Sequence, residues 1–205
     1  MSRLVWVALA LIVLAIPLTI AACGGDDDDD GGGGGGDQDE ITAAIETATT
    51  GTDPGKCTTV MTQRFVEQIT FETGPTAVGN CREGTPPATP ADSVDVSNIE
   101  VDGDTATAEV AVTGGGRLDG QTIVVSLVKE GDQWKVDHLD EFIEFDQRAF
   151  ADAVVEEASE AGAPRQAVDC IRDAIEAAGP ERSQAIYVSD EPGSDFGLFG
   201  YCVEG

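Results

Sequence analysis

The hydrophobic period of the chain changes near Val94, and that change limits the folds open to it. Before it, Ile41, Ala44, Ile45 and Ala48 recur at helical spacing, and Cys57, Val60, Met61, Phe65 and Ile69 do so again. After it, apolar residues fall on alternate positions: Val94 and Val96, then Ile99 and Val101, with an irregularity near Ser97-Asn98 that reads as a bulge. Ala106, Ala108, Val110 and Val112 continue the alternation, Ile123 to Val128 is rich in β-branched residues, and Trp134, Val136 and His138 form the last run. Asp102-Gly103 and Glu130-Gly131-Asp132 supply tight turns. Helices followed by an antiparallel meander predict an α+β fold.

Local signals refine the helices. Asp37 with Glu40 three residues on matches a capping box, and Gly51 to Gly55 with Pro54 ends the first helix. Gly74-Pro75 breaks the stretch before Cys81, which falls near a short helix, and the three prolines between Gly84 and Ser93 mark a loop. Beyond Asp140 the period returns to helical. Phe150, Val154 and Ala158 predict one helix. Pro164 followed by Ala167, Val168, Ile171, Ile175 and Ala178 predicts another, stopped by Gly179-Pro180. The division expected is therefore a leader over 1–22, a linker over 23–38, an α+β domain over 39–145 and a helical appendage over 146–205.

The leader has Arg3 at its start, an apolar run from Leu4 to Ile16, then Pro17 and small residues up to Cys23, which is the make-up of a secretory signal peptide. An uncleaved transmembrane helix is the alternative, since Leu4 to Ala22 is just long enough to span. Ile20-Ala21-Ala22-Cys23 resembles the bacterial lipobox. The resemblance implies cleavage before Cys23 and fatty acylation of that cysteine. The implied partner is the lipid bilayer at the cell membrane, with the protein held on the extracytoplasmic side. Two or more acyl chains anchor stably where one does not. Residues 24–40 are aspartate- and glycine-rich, and as a flexible coil would reach roughly 25 Å. Asp26, Asp28, Asp30, Gly31 and Asp37 fall on calcium-loop positions, but the twelfth residue is Asp instead of Glu and no helix precedes, so the match is weak and no metal is expected.

Five cysteines are awkward in an exported protein; assigning Cys23 to lipid leaves Cys57, Cys81, Cys170 and Cys202. An oxidising exterior favours pairing them. Of the three possible connectivities, Cys57 with Cys81 and Cys170 with Cys202 keeps each bond inside its own module. A zinc site is the rival, disfavoured by one histidine and no close-set cysteine pair. The net charge is −28, and −29 once residues 1–22 with their single arginine are removed (10 basic, 39 acidic). That charge disfavours nucleic acid and anionic headgroups as partners.

Residues 39–140 resemble the nuclear-transport-factor-two-like fold, the cone of helices on a curved sheet also found in ketosteroid isomerase. The stretches that carry the likeness are Asp102 to Ala108 and Gly131 to Asp137. The resemblance implies a cone fold and no particular activity. The expected role is a non-enzymatic module, without cofactor, that binds an envelope protein or a small apolar ligand. The alternative is an isomerase- or hydratase-type enzyme on the same cone, drawing on His138, Asp137, Asp140, Glu141, Glu144, Tyr187 or Tyr201. No catalytic residue is assigned, because spacing shows no oriented partner for His138. A third reading is a spacer that binds nothing. A polar pair in an enclosed cavity favours binding or catalysis; a cone filled by side chains favours a protein partner.

Overall fold

The structure, a computed structural model, describes residues 34–84, 89–188 and 200–202. Cys23, the leader and most of the linker, including Asp26 to Gly31 of the calcium-like pattern, lie outside the described residues. Among those described, no helix is long and apolar enough to cross a membrane.

The protein is α+β, with four antiparallel strands in the order β1-β2-β3-β4, several helices and two disulfides. Helix α1 (Gly34–Thr50) buries Ile41, Ala44, Ile45 and Ala48. It begins before Asp37, so the expected capping box does not form. The Asp37 carboxylate instead accepts from Lys129 Nζ at 2.7 Å and Trp134 Nε1 at 3.0 Å. An ammonium and an indole N–H satisfy a carboxylate better than a solvated backbone amide does.

The helix expected from Cys57 to Ile69 is two helices, α2 (Lys56–Thr59) and α3 (Gln63–Thr70). Between them the backbone works as a strand: Met61 bridges Val136, Thr62 N donates to Val136 O, and Val136 N donates to Val60 O, both at 2.9 Å. Thr62 then caps α3 by accepting from Phe65 N. Helix α4 (Gly74–Glu83) carries Pro75 in its first turn and ends at Gly84, whose positive φ lets its N–H reach the last carbonyls. The disulfide between Cys57 and Cys81 joins α2 to α4.

Strands β1 (Ala91–Asp102), β2 (Thr105–Gly114), β3 (Thr122–Glu130) and β4 (Gln133–Glu144) follow as a meander. The β1–β2 and β3–β4 hairpins both close on Gly-Asp, with φ of 62° at Gly103 and 66° at Gly131. The irregularity at Ser97-Asn98 is present: β1 gains one residue on β2, and Asn98 takes φ 48°. Strand β4 gains one residue on β3 three times, near Asp137, Asp140 and Ile143. Bulges bend a strand, so β4 runs six residues past His138, the last position of the alternating run, and bends as it goes. The shift also places His138 and Leu139, sequence neighbours, both out of solvent.

The inner face of the sheet presents Ala106, Ala108, Val110, Ile123, Val125 and Leu127 to the helices. Asp146 caps α5 (Gln147–Glu160) by accepting from the amides of Arg148 and Ala149. Helix α6 (Arg165–Ala178) is followed, after Gly179 at φ 80°, by α7 (Pro180–Val188), which the Gly-Pro stop signal concealed. Phe150, Ile171, Ile175, Ile186 and Tyr187 from these helices belong to the same core as the sheet residues. The second disulfide ties Cys170 of α6 to Cys202. Phe196, Leu198 and Phe199, in the last part of the expected appendage, lie outside the described residues.

Candidate functional site

The helices do not fill the inner side of the sheet completely. A cavity of about 60 Å³, partly open to solvent, remains between the end of α1, the α2–α4 layer, β2 and α7. Met61, Phe65, Ile69, Val112 and Leu118 give it apolar walls, and Cys81, bonded to Cys57, also lines it. Two lining residues carry ionisable groups, Lys56 and Tyr187, and Lys56 is the single charged one.

Lys56 is 8% exposed. Its Nζ donates to Ala48 O at 2.9 Å, one of the carbonyls that the last turn of α1 leaves without a helical partner. An ammonium has three donors, and no carboxylate among the described residues pairs with this one. Burial alone lowers its proton affinity below that of an ordinary lysine.

Tyr187 arrives from α7 and packs against Phe71, Phe142 and Phe150. Burial pushes its hydroxyl up to about 12, against the opposing pull of the nearby Arg117 guanidinium. Arg117 sits in a short 3-10 turn (Gly116–Leu118) after β2, over the Phe71 ring at 5.7 Å. Its Nε and Nη2 both reach Oε2 of Glu157 at 2.7 Å. Among the described residues, Nη1 and the other Glu157 oxygen are buried and find no hydrogen-bond partner within ordinary reach. Phe71 has φ 56°, a costly conformation for an aromatic residue, held where its ring is wedged between Tyr187 and Arg117.

His138, the leading catalytic candidate from sequence, is not in the cavity lining; it is buried on β4 in a separate polar network. Gln68 of α3 is the hub. Its Oε1 accepts from Leu139 N at 2.8 Å, and its Nε2 lies 2.9 Å from Leu139 O, 2.6 Å from Tyr187 O and 3.0 Å from His138 Nε2. With the amide so oriented, His138 Nε2 faces a donor and accepts, which leaves the proton on Nδ1 to donate to Asp140 Oδ1 at 2.8 Å. Its basic lone pair is thus turned onto a protein amide.

The other candidates disperse. Asp137 pairs with Arg64 at 3.1 Å, and Glu144 accepts from Thr122. Tyr201 is 63% exposed. Cys170 and Cys202 do not line the cavity. No group of three or more His, Cys, Asp or Glu side chains able to hold a metal occurs among the described residues. Sequence reasoning missed Lys56 altogether. Its one available signal was its place beside Cys57, at the start of a segment whose other apolar residues face inward. Compared with models of known protein families, with curated proteins and with solved structures, the chain shows no match.

Proposed function

We propose that the protein is a non-enzymatic binding module of the cell envelope, held to the membrane by acylated Cys23 and accepting a small apolar ligand in a cone-shaped domain. The observation that carries the binding reading is the apolar cavity left between helices and sheet by an otherwise filled core. The triple bulging of β4 supports the cone, because it curls the sheet around that space. The signal-like leader and the lipobox-like Ile20 to Cys23 support the anchor, and two disulfides suit an oxidising compartment. The engagement of His138 by Gln68 weighs against the isomerase or hydratase alternative.

Two measurements test this reading. Cys23→Ala should abolish incorporation of labelled fatty acid. Xenon, a small apolar probe, should shift the methyl resonances of Met61, Val112 and Leu118. Ala91→Leu, which fills the cavity, should remove that response. A natural chain that takes up no labelled fatty acid, or a Cys23→Ala chain that still does, refutes the anchor, and methyls that ignore xenon refute the binding site.

A further inference from the structure

We propose that the cavity selects a small monocarboxylate, whose anionic end pairs with Lys56 while its short chain lies against Phe65, Ile69 and Val112. This rests on the cavity being a binding site and adds the charge of what it binds. Three observations lead to it. Lys56 is more than nine-tenths out of solvent yet has one hydrogen-bond acceptor among the described residues, a neutral carbonyl. It is the single charged group in a lining that is otherwise mostly apolar. No carboxylate among the described residues compensates it, although the chain carries 39 acids. A buried charge without a counter-charge is costly, and an anion delivered by a ligand removes that cost. In a partly desolvated slot the pairing is also worth more than at the surface.

Lys56 does have a structural role, closing the end of α1 through Ala48 O, and that role uses one donor of three. The remaining two are what a carboxylate would take. Size limits the ligand. An engineered cavity of roughly 150 Å³ holds benzene, so about 60 Å³ holds roughly two to three heavy atoms, with the remainder at the open side. Acetate, propionate and butyrate carry four, five and six heavy atoms, so one to four of these extend past the cavity at its open side, and long-chain fatty acids would leave most of their length outside. The apolar walls disfavour inorganic anions, which would gain the charge pairing but no burial of hydrocarbon. The net charge of −28 repels any anion at long range, so association should quicken as salt screens that field, while the buried contact is screened much less.

The experiment titrates the full chain with acetate, propionate and butyrate, and with 1-propanol, propylamine and chloride as matched controls, following methyl shifts at Met61 and Val112. Propionate should bind at least tenfold more tightly than 1-propanol, propylamine or chloride. Lys56→Met should bring propionate down to the level of 1-propanol while xenon still enters. Lys56→Gln keeps a donor for Ala48 O, so it should preserve the end of α1 and lose the carboxylate preference equally; it serves if the methionine variant fails to fold. Should either folded variant bind propionate as the natural chain does, or should propionate match 1-propanol in the natural chain, the assignment of an anionic ligand is overturned while xenon entry leaves the cavity reading standing. A cavity deaf to xenon and to every probe overturns both.

Discussion

Gln68 is the residue whose loss the fold should tolerate least for its size. Its side chain is 4% exposed and meets four polar groups: the N–H and C=O of Leu139, the carbonyl of Tyr187 and Nε2 of His138. One amide NH₂ has two hydrogens, so three full hydrogen bonds are the most it can make, with the His138 contact shared. Gln68→Leu keeps the volume and strands at least three of these groups without water. Each stranded buried group costs about 1–3 kcal/mol, and the more apolar side chain returns about 1–2 kcal/mol, so for three groups the net loss should be about 1–8 kcal/mol, centred near about 4–5 kcal/mol. That is a large share of the ~5–15 kcal/mol that holds a domain together. Urea unfolding followed by circular dichroism and by the fluorescence of buried Trp134 reads it as a fall in midpoint with an unchanged slope. Gln68→Ala leaves room for water to re-solvate the stranded groups and should cost no more than Gln68→Leu. A loss below about 1 kcal/mol for Gln68→Leu, or a larger loss for alanine than for leucine, refutes the view that Gln68 is kept for its hydrogen bonds.

Four further outcomes are expected. Replacing Cys57 and Cys81 by alanine opens a link between residues 24 apart and should lower stability by roughly 3–4 kcal/mol in the chain-entropy model, as should replacing Cys170 and Cys202, 32 apart; urea midpoints check both. In a Tyr201→Phe variant Tyr187 is the only tyrosine, and its phenolate absorbance should rise near pH 12; because the unfolded chain ionises near 10, stability should fall by about 2–3 kcal/mol between those values. Lys56 has the opposite sign: burial lowers its proton affinity, so the unfolded chain holds more protons below pH 10.5 and stability rises with pH from the folded value to 10.5, a slope that Lys56→Met should remove in alkaline urea titrations. Asp37, whose acid range is lowered by hydrogen bonds from Lys129 and Trp134, stabilises above pH 3.8 and loses that contribution as pH falls; the gap between the natural chain and Asp37→Asn should therefore close in acid unfolding curves.

The parts of the fold that sequence reveals are those governed by local periodicity. Alternation at Ala106, Ala108, Val110 and Val112 gives a strand face directly, and Gly-Asp at a positive φ gives its turn. Periodicity fails where a long-range partner takes over. Val60 to Thr62 match a helical pattern, yet the backbone there pairs with Val136, 75 residues away from Met61, and no window of sequence contains that pairing. The three bulges of β4 disguise its second half in the same way, because each inserted residue breaks the two-residue rhythm by which a strand is recognised. Asp37 shows a subtler failure. The residue type was informative, a carboxylate in a first turn, but its partners come from a hairpin some ninety residues on.

The candidate site was less legible than the fold because both of its ionisable groups are atypical of their residue types. Lysine is almost never fully buried, so nothing in its identity argues for an inward-facing Lys56. Tyr187 follows a Gly-Pro signal and so reads as part of a peripheral appendage. Its position is set instead by contacts that cross the molecule: its backbone carbonyl is held by Gln68, its ring by Phe71 and Phe142, and its neighbourhood by the Arg117–Glu157 pair linking the β2–β3 turn to α5. The residues after Asp146 therefore help to make the cavity. Gln121, 1% exposed, pins the start of that region by bonding both the N–H and the C=O of Asp146. If helices α5 to α7 were only appended, their loss would leave the cavity intact; with Tyr187 as a wall and Gln68 as its anchor, loosening α7 should open the cavity and free His138 together. The same buried amide that keeps the histidine occupied thus holds one wall of the cavity in place, and any ligand that enters does so against a wall contributed by the last long helix described.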